Sequence, residues 1–296
     1  MVKGNSRFKY SNKVIHLIFF VVCAFSLLPL LLVIMSSVSR ENDVAKYGYS
    51  LIPRHFSAEA YKTIFKDPSF IFNSYAITIL VTLCGTVFGI LLITLVAYPM
   101  SRKDYKYKNK LSFYVFFTML FNGGLVPSYI LISNWLHMKN TVFALFVPTL
   151  VNAFYVLMMK GFLQTIPNAI YESAKIDGIR EFTMFFKIVI PLSKPAIATV
   201  ALFLTLQFWN DWFMCMLYID NRNLFTLQYQ LTQLQAFIEF FNQMVISGSS
   251  SGLKVDMPVL TSRMAMCVVT AGPMLCAFPF FQKYFVRGLV LGSVKG

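Results

Sequence analysis

The sequence predicts an all-α membrane protein with six transmembrane helices and with both termini in the cytosol. Hydrophobic residues make up 57% of the 296 residues and charged residues 13%, and the mean hydropathy of +0.64 is too high for a soluble domain. Six apolar stretches are each long enough to cross a hydrocarbon core of about 30 Å. Alternate connecting segments hold 17 of the 26 Lys and Arg residues but only four of the 12 acidic residues, which predicts the internal side. The formal net charge of +14 therefore indicates anionic membrane lipids as partners, and no nucleic acid.

The chain is divided into a cytosolic segment, six spans, two external loops and one long internal loop. The cytosolic segment is 1–13; the spans are about 14–35, 74–100, 111–131, 141–161, 196–217 and 263–281; the external loops are 36–73 and 218–262; the internal loop is 167–195. The first span is not read as a signal peptide, because its apolar run is too long and lacks a convincing cleavage site. A short helix is expected near 58–65. Gly85 and Gly89 form a small-x3-small pair, which predicts close helix packing in the second span.

The third and fourth spans contain residues that break helices. Asn122-Gly123-Gly124 and Pro127 interrupt the third span, and Pro148 and Asn152 lie within the fourth. A break frees backbone groups that must be satisfied away from lipid, so the break in the third span is predicted to face the protein interior or a cavity. The basic hairpin at 102–110, which precedes the third span, is interpreted as a topology anchor.

The internal loop is predicted to form two short helices around a glycine turn. Pro167 suits the first turn of a helix, Asn168 can cap it, and this helix would run to Ile176. Gly178 supplies the positive φ that ends a helix without steric cost, and Asp177 can accept hydrogen bonds from the amides of the next helix. This shape suits a docking element rather than a catalytic site.

The second helix of the loop is predicted to carry one apolar face. Phe182, Phe185, Phe186 and Val189 follow the i, i+3, i+4, i+7 spacing of such a face. Two prolines then end this helix and restart the chain as a membrane span.

The same loop carries a family resemblance. Its spacing E-x-A-x3-G-x9-I-x-x-P resembles the EAA loop in membrane subunits of bacterial binding-protein-dependent ABC importers; the matching residues are Glu172, Ala174, Gly178, Ile188 and Pro191. Ser173 and Ile190 replace the more usual alanine and leucine, and each replacement is close in size to the residue it replaces. The resemblance implies the type I ABC importer permease fold, in which this loop is a coupling helix that docks in a cleft on a cytosolic ATPase subunit.

The resemblance also implies a role for each residue of the loop. Gly178 would set the turn, and the small Ala174 would let surfaces approach closely. Glu172 and Asp177 would hydrogen-bond or pair with basic groups on the partner. The alternative interpretation is a plain amphipathic loop, in which the two acidic residues are a cap and a solvated helix face.

Strings elsewhere extend the resemblance to the carbohydrate-uptake branch. The tail at 278–285 and 292–296 is similar to that branch. The strings at 122–127 and 209–212 look closest to Lpl- or Ytc-type permeases for oligosaccharides or polysaccharide fragments. The serine- and glycine-rich run at 247–252 is expected to be mobile.

The energy source is expected outside this chain, because the sequence contains no GxxxxGK[ST] phosphate loop. The resemblance implies two cytosolic ATPase subunits that carry ATP and Mg²⁺, a second permease subunit expected to be a different chain, and an extracellular solute-binding protein. The chain itself would be a multi-pass subunit of the bacterial cytoplasmic membrane with no cofactor and no catalytic site. His16, His55 and His137 are far apart and the five cysteines lie within predicted spans, so no metal site or disulfide framework is predicted.

Candidate solute contacts lie near the external end of the fifth span. Asp211 is the only acidic residue within the predicted spans, and ionisable groups inside a membrane are functional candidates. Trp209, Asn210 and Trp212 beside it offer the aromatic faces and the amide that suit a sugar, and Asn122 completes the candidate set. Alternatively, the tryptophans form an interfacial belt and Asp211 lies at the membrane edge. The competing functions are ABC import of a non-sugar solute and ion-coupled secondary transport.

Overall fold

The computed structural model describes residues 6–246 and 258–293, and α-helices account for most of them. The predicted all-α class is confirmed, since pairing between extended segments within these ranges is limited to one isolated bridge from Ser39 to Phe56. The chain divides into two compact units, residues 1–68 with 233–272 and residues 69–232 with 273–296. The run at 247–252 that was expected to be mobile lies outside the described residues.

The helices are numbered in chain order. They are α1 (Ser6–Ser37), α2 (Glu41–Tyr47), α3 (Glu59–Ile64), α4 (Pro68–Ser101), α5 (Lys108–Leu120), α6 (Leu125–Ile130), α7 (Phe143–Phe146), α8 (Ala153–Leu163), α9 (Asn168–Ile176), α10 (Glu181–Met184), α11 (Ile190–Leu192), α12 (Lys194–Trp209), α13 (Phe213–Tyr218), α14 (Leu227–Ile246) and α15 (Val259–Ser293). π-helical turns occur at Leu131–Trp135 and Phe185–Val189, and 3-10 turns at Val147–Thr149 and Arg222–Leu224. The first unit holds α1 to α3 with the greater part of α14 and the start of α15, and the second unit holds α4 to α13 and the remainder.

Three helices of the described ranges are long and apolar enough to cross a membrane by themselves. They are the segments Lys13–Ser37, Pro68–Ser101 and Val259–Ala277. The predicted first and second spans fall within the first two of these segments, and the predicted sixth span falls within α15. Three bent helix pairs also qualify, so these ranges offer up to six crossings when each pair counts as one span.

The third predicted span is not a continuous helix. It covers α5 and α6, and the pair of which they form part is bent by 107°. At the break Gly124 has φ +91°, and the side-chain oxygen of Asn122 accepts a hydrogen bond from the Gly124 amide at 2.5 Å. All side chains from 116 to 128 are exposed on this chain, so the break does not face the interior of this chain, and the predicted alternative of a cavity stays a prediction. The backbone turn is satisfied locally instead.

The fourth and fifth predicted spans are also broken. The fourth bends by 53° before α8, where the side chain of Asn152 caps the new helix by accepting from the amide of Phe154 at 2.9 Å. The fifth was predicted as one helix over 196–217, but α12 ends at Trp209 and α13 begins at Phe213. A further bend of 80° separates Glu181–Leu192 from α12.

In the first unit, one carboxylate of α2 caps the start of α15. Glu41 accepts hydrogen bonds from the amides of Leu260 (2.8 Å) and Thr261 (2.9 Å) and from the Thr261 hydroxyl (2.6 Å). The hydroxyls of Ser37 and Tyr61 are 2.8 Å apart and join the end of α1 to α3. The short helix predicted near 58–65 is confirmed as α3.

In the second unit, α4 and α12 pack closely at the two glycines of the small-x3-small pair. A Cβ atom added at Gly85 would lie 2.6 Å from the ring of Phe208, and one added at Gly89 would lie 3.1 Å from Leu204. Both of these α12 side chains are fully buried. The packing predicted for the glycine pair is therefore confirmed.

The sequence analysis missed α14, a 20-residue helix inside the segment predicted as the second external loop. Its first turn joins the second unit, where the amide of Leu227 donates to the Thr78 hydroxyl at 3.0 Å and Gln230 donates to Ser74. Apolar residues at Leu227, Leu231 and Ile238 repeat at helical spacing and are buried, so this spacing was a usable signal.

Candidate functional site

The internal loop folds as predicted, into two helices around a glycine turn; we call α9, the turn and α10 the elbow. α9 ends at Ile176 with Asp177 at its C-cap position, and Gly178 follows with φ +73°, which glycine adopts without steric cost. The amide of Gly178 donates to the carbonyl of Lys175 (3.0 Å), and the amide of Ile179 donates to that of Ala174 (2.9 Å). This pair of bonds is a Schellman motif, which satisfies carbonyls at a helix end. The predicted glycine turn is confirmed.

Two predicted helix caps in the loop are wrong. Pro167 occupies the cap position of α9 and Asn168 is already the first helical residue. Asp177 closes α9, whereas the next helix is preceded by Arg180 and has no side-chain cap. Three residues of elbow separate Asp177 from that helix, so it is one turn too early to cap it.

The predicted apolar face of the second helix is only half correct. Phe185 and Val189 are buried, but Phe182 is 75% exposed and Phe186 50% exposed. The buried side of this segment is formed instead by Met184, Phe185 and Val189.

α9 has one face buried in its own chain and one face exposed. Tyr171 and Ala174 are 6% and 3% exposed, whereas Ile176 is 87% exposed and Glu172 and Ser173 are also exposed. Ala174 was predicted to let surfaces approach closely, and in this structure the surface that it contacts belongs to its own chain. Ile176 therefore lies on the outer face of α9, away from its own chain.

The other predicted loop residues are also accessible. Asp177 and Pro191 are exposed, and Ile188 is partly buried. Neither Glu172 nor Asp177 forms a side-chain hydrogen bond or ion pair with residues 6–246 or 258–293. Both carboxylates are therefore available to a partner protein, and their pairing with one stays a prediction.

The buried face of α9 is held by Arg102, which directly follows α4. The Arg102 side chain is 5% exposed, and its Nε and Nη2 atoms donate to the two Asp104 oxygens at 2.9 and 2.8 Å. Its guanidinium carbon lies 4.2 Å from the ring centroid of Tyr171 in α9. A bidentate carboxylate bond and a cation–π contact fix the guanidinium plane in two directions.

The same guanidinium also reaches α10. Its Nη1 atom donates to the sulfur of Met184 at 3.2 Å and to the hydroxyl of Tyr98 at 3.3 Å. The Tyr98 hydroxyl in turn donates to Glu181 at 2.7 Å, and Arg102 Nη2 lies 3.6 Å from the other Glu181 oxygen. Arg102 therefore joins the end of α4 to both helices of the elbow.

Asp104 is the acidic residue that binds both Arg102 and Lys175, and we call these three residues with Tyr98, Tyr171 and Glu181 the Arg102 cluster. Hydrogen bonds from Arg102 hold the pKa of Asp104 well below its usual range, despite partial burial that acts in the opposite direction. Lys175 of α9 also donates to Asp104. The cluster thus fastens α9 at two points, Tyr171 and Lys175.

Four of the predicted solute contacts lie in and beside the break between α12 and α13. Asp211 accepts a hydrogen bond from the amide of Met214 at 2.9 Å and so caps α13. The side-chain amide of Asn210 donates to the backbone carbonyl of Leu206 at 2.8 Å. Trp209 is buried at 6% exposure, whereas Trp212 is 37% exposed. Only part of the predicted set is therefore accessible to a solute.

The fifth predicted solute contact, Asn122, lies in the break between α5 and α6. The helices that follow the two breaks are joined by the stacked rings of Tyr129 and Tyr218, whose centroids are 5.7 Å apart. The structure thus ties the two broken regions together through α6 and α13.

The sequence analysis missed Arg102, Tyr98 and Tyr171. It treated the basic hairpin as a topology anchor, although Arg102 is a buried member of the loop scaffold. Tyr98 and Arg102 lie one helical turn apart at the end of a span, and Asp104 follows. This spacing was a signal that the three side chains could contact one another.

Comparison with known proteins places this geometry in a family, although no family model matches the chain. The polygalacturonan/rhamnogalacturonan transport system permease protein YtcP of Bacillus subtilis (strain 168) is 37% identical over 95% of each chain. Protein LplC of the same strain is 35% identical over 93% of this chain and 91% of its own length. A chain of a bacterial ABC transporter that imports the acidic polysaccharide alginate matches with a TM-score of 0.78 and 25% identity, over 96% of this chain and all of that one.

These relatives extend over nearly the whole chain, and the elbow of α9 and α10 stands where the EAA motif predicted a coupling loop. The chain belongs to the family of membrane-spanning permease subunits of ABC importers, in its carbohydrate-uptake branch.

Proposed function

We propose that the chain is a permease subunit that passes an oligosaccharide or a polysaccharide fragment across the bacterial cytoplasmic membrane by alternating access. It is a transport component rather than an enzyme. The proposal is carried by the combination of the relatives described above with an elbow whose inner face is buried in its own chain and whose outer face is open.

The energy for transport is proposed to come from two partner ATPase subunits that bind ATP and Mg²⁺. Driving an equilibrium from mostly one conformation to mostly the other takes about 5.5 kcal/mol of differential binding. ATP-dependent closure of the ATPases can supply this, whereas binding of a neutral sugar alone rarely would. A second permease subunit, expected to be a different chain, and an extracellular solute-binding protein complete the proposed complex.

The outer face of the elbow is proposed as the contact with one ATPase. Ile176 at 87% exposure and Phe182 at 75% exposure flank the turn at Gly178 and provide an apolar surface. Glu172 and Asp177 add two carboxylates for basic groups of the partner. This pattern of a small apolar centre with a polar rim is typical of protein interfaces.

The solute is proposed to pass the accessible residues of the two broken regions. Asn122, Asn210 and Trp212 are exposed and Asp211 is partly exposed, so they can offer hydrogen bonds and one aromatic face. Uptake measured with a panel of neutral and uronic-acid oligosaccharides identifies the substrate. Unchanged uptake in Asp211→Ala and in Trp212→Ala would remove these residues from the path.

The central experiment compares Gly178→Asp with Gly48→Asp. Gly178→Asp is expected to abolish ATPase co-purification and uptake while the protein still reaches the membrane, because the positive φ is lost and the elbow is displaced. Gly48 also has a positive φ, +78°, and lies exposed in the predicted external loop 36–73 with no atom within 4 Å of an added Cβ, so the same side chain there is expected to leave ATPase co-purification intact. ATPase co-purification and transport by Gly178→Asp at the control level would contradict the proposal.

A photo-activated cross-linking residue provides a direct test of contact. Placed at Ile176, it is expected to capture the ATPase subunit in membranes that contain the whole complex. The matched position is Trp135, which is 76% exposed but lies in the segment predicted to be external. Capture of the ATPase from Trp135 but not from Ile176 would reverse the proposed orientation.

A further inference from the structure

We infer that Arg102 is the positioning residue that transmits movement of the coupling helix α9 directly to α4. This inference rests on the proposed coupling function, and it assigns the mechanical joint within this chain. The observation behind it is that one buried side chain contacts three separate helices of the second unit.

The contacts of Arg102 leave it little freedom to move independently. Two nitrogen atoms are bonded to Asp104, a third faces Met184 and the Tyr98 hydroxyl, and the guanidinium plane lies on Tyr171. Of these contacts, only the ring of Tyr171 belongs to α9, and Lys175 of α9 adds a second link by donating to Asp104, so a shift of α9 relative to Arg102 disturbs both links. A buried charge that loses its partners is costly, so the group moves as one body.

The element on the other side of Arg102 is α4, a single helix of 34 residues from Pro68 to Ser101. It contains Pro99 in its last turn, and Arg102 is the residue directly after the helix. The backbone route from α9 into the membrane passes instead through the elbow, a π-helical turn and a bend of 80° before α12. Such breaks absorb displacement, so the side-chain route through Arg102 is the stiffer of the two.

The contacts require arginine rather than any cation. Lysine would keep the charge, but it cannot bind Asp104 in a bidentate manner or lay a planar group on Tyr171. The nearby Lys103 is exposed and its side chain takes part in none of the contacts described for Arg102. Substitution of Lys103 therefore provides a matched control for removal of a positive charge at this membrane face.

The experiment uses the complete complex of permeases, ATPases and solute-binding protein reconstituted in vesicles. The quantity measured is the number of solute molecules imported per ATP hydrolysed, for wild type, Arg102→Met, Arg102→Lys and Lys103→Gln. Arg102→Met is expected to lower this ratio, because ATP hydrolysis would continue without a matching movement of α4. Arg102→Lys is expected to give an intermediate loss, and Lys103→Gln a ratio equal to that of wild type.

The ratio separates positioning from simple loss of structure, because a merely less stable protein lowers import and coupled hydrolysis together. An Arg102→Met ratio equal to that of Lys103→Gln, in a complex that transports, would overturn the inference and leave the proposed function standing. A wild-type complex whose import does not depend on ATP would instead overturn the proposed function. If the Arg102→Met protein does not accumulate, Tyr171→Leu is measured instead, because it keeps apolar bulk and removes the ring under the guanidinium. A ratio of solute imported per ATP in Tyr171→Leu equal to that of wild type also overturns the inference.

Discussion

A single methyl group at Gly85 is expected to destabilise the contact between α4 and α12. The Cβ of Gly85→Ala would lie 2.6 to 2.7 Å from three ring atoms of Phe208, closer than such atoms approach in folded proteins. Phe208 is 1% exposed, so its ring cannot swing into solvent. Overpacking of this kind costs about 1–3 kcal/mol, while replacing glycine by alanine in a helix returns about 1 kcal/mol. The expected net loss in the free energy of unfolding is about 1 kcal/mol, which lowers Tm by about 2 °C for a chain of 296 residues.

The assay is thermal unfolding of the purified protein in one detergent, with Gly161→Ala as the matched control. Gly161 lies in α8 and an added Cβ meets no atom within 4 Å, so only the helix-propensity gain applies and Tm is expected to rise. The two variants are therefore expected to shift Tm in opposite directions, down for Gly85→Ala and up for Gly161→Ala. A Gly85→Ala variant with a Tm equal to or above that of Gly161→Ala would refute the reasoning on helix packing.

Three further predictions concern the elbow and its scaffold. Gly178→Asn is expected to retain more uptake than Gly178→Val, because asparagine tolerates the left-handed conformation that costs other residues about 1–2 kcal/mol; equal uptake by the two variants would contradict this. Tyr171→Phe is expected to leave Tm unchanged or raised, since the buried hydroxyl of Tyr171 has no hydrogen-bond partner within the described ranges, and a clear fall in Tm would disprove it. Because hydrogen bonds from Arg102 lower the pKa of folded Asp104, the unfolded chain binds more protons in acid. The stabilisation by Asp104 is thus complete above about pH 4 and is lost as the pH falls through the folded pKa, so Asp104→Asn is expected to lose less Tm than wild type on acidification.

The elbow could be predicted from the sequence because its signals are local. A glycine with positive φ, flanked by two helix-forming stretches, specifies a turn whatever surrounds it, and Gly178 forms that turn. Likewise, the Gly85 and Gly89 pair indicated close packing because only small residues permit it. In both cases the required information lies within a few residues of chain.

The rest depends on contacts between distant parts of the chain. Arg102 looks like any other residue of a basic hairpin until Tyr171 and Glu181 are brought to it, and a charge count assigns it to the membrane surface. Phe182 and Phe186 were wrongly assigned to the buried face, because apolar spacing alone does not show which of several phenylalanines packs against the rest of the chain. Glycine and proline residues marked the breaks in the third and fourth spans, but the break between α12 and α13 contains neither residue and was not predicted.

The cap that Glu41 places on α15 has a consequence for biosynthesis. The carboxylate leaves the ribosome 219 residues before the amides of Leu260 that it binds, so this bond is among the last that the chain can form. Until α15 is translated, the Glu41 carboxylate has no amides of α15 to bind and has to remain hydrated. Nascent chains arrested before that helix are therefore expected to keep α2 accessible to protease, whereas release of the finished polypeptide protects it.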